Sequence, residues 1–127
     1  MKDFRGLSVW RKAHAVTLEI YRVTRSFPRE ETYGITSQMR RCSSSVAANI
    51  AEGCGRRGNT EFARFLGMSM GSASELEYFL LLSRDLGYVE SDVYTSLAGE
   101  VVTMRRMLNG LISKDPPRTL VALSAKC

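Results

Sequence analysis

At 127 residues the chain suits one domain with a modest core, and 44% apolar with 24% charged residues is a folded composition, not a disordered one. Its formal charge of +5 is unevenly spread: residues 1–58 carry 11 Lys/Arg against 5 Asp/Glu, residues 59–127 carry 7 against 8. The opening MKDFRGLSVWRKAH has no apolar leader, and no stretch approaches the ~20 apolar residues of a membrane span, so no membrane role and a cytoplasmic location are expected.

The first helix is predicted over about residues 8–25, with Ser8 as N-cap and Pro28 beyond its end. Trp10, Ala13, Thr17, Ile20, Tyr21 and Thr24 repeat at helical spacing, Val9, Val16, Val23 and Phe27 add a second apolar stripe, and Arg11, Arg22, Arg25 and Arg29 share the outward side. That basic stripe is either a solvated face or a polyanion contact.

The second helix is predicted over about 34–56, ended by three glycines within Gly53–Gly58. It carries two inward-looking stripes: apolar Met39, Cys42, Val46, Ile50 and Cys54, and polar Arg41, Ser45, Asn49 and Glu52. The third helix is predicted over about 59–86, with Asn59 as its cap and Gly87 in a C′ role. Arg64, Met68, Gly71 and Glu75 repeat the polar spacing there. An antiparallel hairpin through Arg57, Gly58 and Asn59 sets residues whose numbers total roughly 116 opposite each other. It pairs Glu52 with Arg64 and Arg41 with Glu75, and sets Ser45 and Ala48 against Gly67, Gly71 and Ser72 in a close-packed seam.

The fourth helix, about 91–114, has the most regular periodicity: Val93, Leu97, Val101, Met104, Leu108 and Leu111 alternate spacings of 4 and 3. Pro116 and Pro117 end it. Four helices with short connections and no period-2 run give an all-α, antiparallel up-down-up-down four-helix bundle over residues 1–114, followed by a disordered tail at 115–127 that holds apolar Thr119–Leu123 and Cys127.

Chemistry is sparse. Cys42 and Cys54 lie roughly 18 Å apart along one helix, too far for a disulfide, and no CxxC pair exists. His14 is the only histidine and lacks the partners of a catalytic or di-iron set, so no metal or cofactor is expected. Gly53–Gly58 lacks the P-loop lysine, although Arg56, Arg57 and the amides that open the third helix converge where a phosphate could sit. Glu52 and Glu75 could act as an acid and base, but register-fixing ion pairs with Arg64 and Arg41 are the stronger reading. The tyrosines 21, 33, 78, 88 and 94 could stack on bases if exposed beside arginines, or could serve the core and bundle edge.

Phe4-Arg-Gly-Leu-Ser-Val-Trp-Arg-Lys-Ala-His14, Phe27-Pro28, Tyr33-Gly-Ile-Thr-Ser-Gln-Met-Arg-Arg41, Ser45-Val-Ala-Ala-Asn-Ile-Ala-Glu-Gly53 and Glu75-Leu-Glu77 together resemble the four-helix-bundle proteins related to the 23S rRNA intervening-sequence protein, from about Asp3 to Lys114. The resemblance implies an up-down bundle assembled as a ring-like homopentamer, of poorly known function, encoded in some bacteria inside rRNA intervening sequences. A similar fold, the accessory variability determinant of diversity-generating retroelements, implies nucleic acid and a reverse transcriptase as partners. The expectation is a non-enzymatic homo-oligomer that binds RNA through Arg11, Arg22, Arg25, Arg56 and Arg57; the alternative is a protein-interaction scaffold in which the basic first half docks on a neighbour's acidic second half.

Overall fold

The computed structural model describes residues 3–114, which form α1 (Ser8–Thr24), α2 (Ile35–Gly55), α3 (Asn59–Asp85) and α4 (Ser91–Lys114), with short 3-10 turns at Phe4–Gly6 and Arg29–Glu31. The expected tail, with Thr119–Leu123 and Cys127, lies outside the described residues.

Side-chain partners fix the direction of each helix. From α1 to α2, Thr17 Oγ1 donates to the Ser43 carbonyl at 3.0 Å and Arg40 Nε to Thr24 Oγ1 at 2.9 Å, so numbers rise on one helix as they fall on the other. Between α2 and α3 the same reversal links Met39 with Ser83, Ser45 with Ser72 and Val46 with Ser69. Glu77 meets Arg105 at 3.2 Å and the Arg84 guanidinium lies 4.7 Å from the Tyr94 ring centre, which sets α4 antiparallel to α3. Lys12 meets Glu100, while Leu7 shares a cleft with Gly110, so α4 also runs against α1 and closes the bundle. This is an antiparallel four-helix bundle.

Its core is the apolar stripe of each helix. Ile20, Met39, Val46, Ile50, Leu66, Leu76, Leu80, Val101, Met104 and Leu108 are fully buried. Burying each such side chain is worth about 1.5–3 kcal/mol, the main stabilising contribution to the bundle. Threaded among them are Thr17, Ser43, Ser69 and Ser83, also buried. Their hydroxyls stay bonded: Ser69 Oγ to the Val46 carbonyl at 2.8 Å, Ser43 Oγ to the Arg40 carbonyl at 3.1 Å, and Ser83 Oγ to Met39 Sδ at 3.3 Å.

The helix ends differ in detail from expectation. Ser8 and Asn59 are not caps but the first residues inside their helices; Leu7 and Gly58 hold the cap positions without a capping side chain. At Gly58 the reason is conformational, since a φ of 83° is a left-handed backbone that favours glycine. Gly87 does take the C′ role: with φ 80°, its N–H bonds the Arg84 carbonyl at 3.0 Å and the Tyr88 N–H bonds the Ser83 carbonyl at 2.9 Å, a Schellman closure.

The hairpin register follows the predicted total, because Ser45–Ser72 and Val46–Ser69 total 117 and 115. The expected role of Gly67 and Gly71 does not hold: a Cβ at either meets nothing within 4 Å, and both residues face outward with Ala48. Close approach occurs instead at Gly53, where a Cβ would lie 3.0 Å from Phe65 Cβ and 3.2 Å from Phe62 Cδ1.

Candidate nucleic-acid interface

Arg11, Arg22 and Arg25 share one exposed side of α1 because their spacings are close to whole helical turns. They are not one patch. Arg11 stands about 21 Å from Arg25 along the axis, and the antiparallel course puts the start of α1 at the same end of the bundle as the α2–α3 turn. Arg11, Arg56 and Arg57 therefore belong to one end and Arg22 and Arg25 to the other.

Their electrostatic states differ as well. Arg22 pairs with Glu19, holding that carboxyl below its ordinary range through the hydrogen bond, and lines a groove of about 600 Å³ between α1 and α4 that also holds Asp92 and the Lys12–Glu100 pair. Carboxylates outnumber the cations in that groove. Arg56 pairs with Glu52 at 2.7 Å. Arg11 donates to the Arg5 carbonyl at 3.0 Å, a neutral acceptor, and Arg25 and Arg57 are exposed with no acidic partner among the described residues.

The expected cross-hairpin ion pairs do not form within the subunit. Glu52 bonds Arg56, four residues on at the C-cap of α2, and Arg64 bonds Glu61 on its own helix at 3.0 Å, with Glu52 contributing only at longer range to holding the Arg64 guanidinium charged. Arg41 donates to Gln38, one turn back. Arg41 and Glu75 both act on the buried Cys42 thiol: burial pushes it up to about 12, Glu75 adds to that rise and Arg41 opposes it. The cause of the rearrangement is exposure, since Arg41, Glu52, Arg64 and Glu75 all reach solvent, where a partner one turn away costs less side-chain ordering than one on another helix. Ser45 bonds across the seam, its hydroxyl 2.9 Å from that of Ser72, while Asn49 Nδ2 donates to Ser45 Oγ on the same helix at 3.0 Å.

At the α2–α3 turn, Arg56 and Arg64 both lie over the Phe65 ring, at 5.1 and 4.7 Å from its centre. Gly53 makes room for the Phe65 Cβ and for the neighbouring Phe62 ring. The converging guanidinium and backbone groups expected near Gly53–Gly58 are thus partly taken up by Glu52, Glu61 and the aromatic face.

A second groove, of about 400 Å³, separates α1 from α2. One wall is aromatic, built by Phe4, Trp10, His14 and Tyr21; the other is small, built by Ser44, Ala47, Ala48 and Ala51 at i, i+3, i+4 and i+7 of α2. Trp10 and His14 lie stacked, 5.0 Å apart and 8° from parallel, while Phe4 meets Trp10 edge-on at 4.8 Å. The Arg40 guanidinium sits 4.8 Å from the Tyr21 ring centre, and Tyr21 is 41% exposed. Tyr21 thus takes the exposed, arginine-flanked alternative open to it, while Trp10 is half-buried against the core; the contribution of Phe4, His14 and Arg40 to this groove is not visible in their spacing. The available signal was the run of alanines opposite them, which cannot cover a ring.

Glu52 and Glu75 converge on no enclosed acid–base site: both are exposed and Glu52 is already paired. Among the described residues no group of His, Cys, Asp and Glu could hold a metal ion, and no helix is long and apolar enough to cross a membrane.

A family model described as 23S rRNA-intervening sequence protein matches residues 5–110. The chain belongs to that family. The 23S rRNA-intervening sequence match covers α1–α3 and all but the last turn of α4, so it contains the hairpin, the α1–α4 groove and all of the aromatic groove except Phe4. Among solved structures, a protein of unknown function from the S23 ribosomal protein family of Bacteroides thetaiotaomicron VPI-5482 superposes with a TM-score of 0.77 at 23% identity, covering 83% of this chain and 95% of that one. That likeness establishes the shared fold. No curated protein matches the chain.

Proposed function

We propose that this member of the 23S rRNA-intervening sequence family is a non-enzymatic cytoplasmic homo-oligomer, a pentamer as the resemblance implies, that binds RNA through its basic first half. The observation that carries this reading is the set of exposed guanidiniums at Arg11, Arg25 and Arg57, which have no acidic partner among the described residues. Arg22 and Arg56, held by Glu19 and Glu52, are weaker contributors. Self-association is supported by the outward α2–α3 face, where Gly67, Met68 and Gly71 leave a shallow exposed strip between the charges of Arg41, Glu52, Arg64 and Glu75. Repetition around a ring would turn these weak, separated contacts into a multivalent surface.

Light scattering gives the oligomeric mass, and titration of a fluorescent RNA across salt concentrations gives the affinity. The expected result is a mass above that of the 14.2 kDa subunit and an affinity that falls steeply with salt, with slope about −0.7 per neutralised phosphate for a single strand. No binding at low salt rejects the RNA reading and favours the scaffold, in which the basic first half meets a neighbour's acidic second half. A reverse transcriptase, the partner suggested by fold likeness, is tested by co-purification.

A further inference from the structure

We propose that the groove between α1 and α2 is a base-stacking site for single-stranded RNA, in which unpaired bases lie against Trp10, His14 and Tyr21 while the sugar–phosphate chain follows Arg11 and Arg40. This rests on the RNA-binding reading above and gives it a location and a strand preference.

The groove has the form that stacking requires. Its α2 side carries nothing longer than a serine hydroxyl, so a slot stays open beside the rings. Trp10, His14 and Tyr21 occupy one stripe of α1, at i, i+4 and i+11, and span about 16 Å, the length of several nucleotides. His14 and Tyr21 are exposed, so the wall reaches solvent and is not sealed into the core. Stacking on such rings tolerates any base, because each base presents a π face.

The charge is complementary to a nucleic-acid strand. No carboxylate lines the groove. Arg40 donates to Thr24 Oγ1 and to the Tyr21 carbonyl, and Arg11 to the Arg5 carbonyl; all three acceptors are neutral, so both guanidiniums keep a full charge for phosphate. Arg40 also lies against the Tyr21 ring, pairing a cation with a stacking surface as single-strand binders do. The larger α1–α4 groove lacks this character, since Lys12 and Arg22 are already neutralised there. A duplex does not fit the aromatic groove, because its bases are stacked on one another and closed to an aromatic wall.

The chain supplies its own probe, for Trp10 is its only tryptophan. The full-length protein is titrated with oligoadenylate, with a blunt RNA duplex of equal charge and with inorganic polyphosphate, following both anisotropy and Trp10 emission. Oligoadenylate is expected to quench or shift Trp10 emission, whereas duplex and polyphosphate bind without that change. His14→Ala and Tyr21→Ala, both at exposed positions, each weaken oligoadenylate binding roughly tenfold while polyphosphate binding is unchanged. Oligoadenylate binding with unaltered emission and full affinity in both variants overturns the stacking site but leaves the RNA reading intact. Absence of all RNA binding overturns both. An emission change that follows protein concentration without RNA assigns the groove to a second copy and overturns the proposal.

Discussion

The hydroxyls of Ser45 on α2 and Ser72 on α3 lie 2.9 Å apart, and Asn49 Nδ2 reaches Ser45 Oγ at 3.0 Å while also donating to the Ser45 carbonyl at 2.9 Å. Side chains of this size let the two backbones come near enough for a direct bond. The half-buried Ser45 hydroxyl is thereby shared between helices, and the contact sets their register without large charged groups.

Replacing Ser72 by Ala removes one partner of Ser45 and leaves the Asn49 bond in place. The expected cost is about 1 kcal/mol, and Ser45→Ala in the Ser72→Ala background should cost less than it does alone. Urea midpoints of the four proteins check this; strict additivity contradicts the shared bond.

Gly53→Ala forces a Cβ against Phe65 and Phe62 and should destabilise by about 1–3 kcal/mol. Gly99→Ala, in open space inside α4, should instead stabilise by about 0.5–1 kcal/mol. Gly71→Leu, also in open space within the subunit, is expected to leave the fold intact and lower the oligomeric mass. Thermal melts and sedimentation separate the three outcomes.

Arg41→Ala and Glu75→Ala are expected to act additively on subunit stability, since Arg41 bonds Gln38 and makes no ion pair with Glu75. The double-mutant cycle should be run on the dissociated subunit. Coupling that appears only in the oligomer would place the pair across a contact between copies.

Burial pushes the Cys42 thiol up to about 12, so it remains protonated and unreactive through neutral and mildly alkaline pH. In a Cys54→Ala, Cys127→Ala background, iodoacetamide should label Cys42 only as the protein unfolds. Rapid labelling of the native state at pH 8 would refute this.

Tyr88 Oη donates to Glu31 Oε2 at 3.0 Å, and that bond raises the phenol above its ordinary 10.0. With the folded value raised, the stabilisation is complete below about pH 10 and is lost as pH climbs through the folded value. The stability difference between the native protein and Tyr88→Phe should therefore shrink in alkaline buffer. A difference that stays constant to pH 11 argues that the bond contributes nothing.

Much of the bundle is legible in the chain. The 4-and-3 spacing of α4 marks a stripe whose members Leu97, Val101, Met104 and Leu108 are buried, and Gly58 and Gly87 punctuate the helices because few other residues adopt their backbone. The hairpin register is equally visible, because the turn length leaves little freedom.

The site was less legible. Sequence spacing places Arg41 opposite Glu75 and Glu52 opposite Arg64, but whether opposite charges bond depends on exposure and on rivals one turn away, and Gln38, Arg56 and Glu61 are those rivals. Periodicity also places Trp10 and Tyr21 on one stripe of α1 without showing that α2 meets them with alanines.

Local sequence thus determined where helices start, stop and turn their apolar sides, because those choices depend on backbone conformation and on burial of one stripe. Only the packed structure decided which charges are neutralised, which glycine sits at a close approach and which rings remain open. Those outcomes depend on distances between side chains on different helices, and no spacing along one helix contains them.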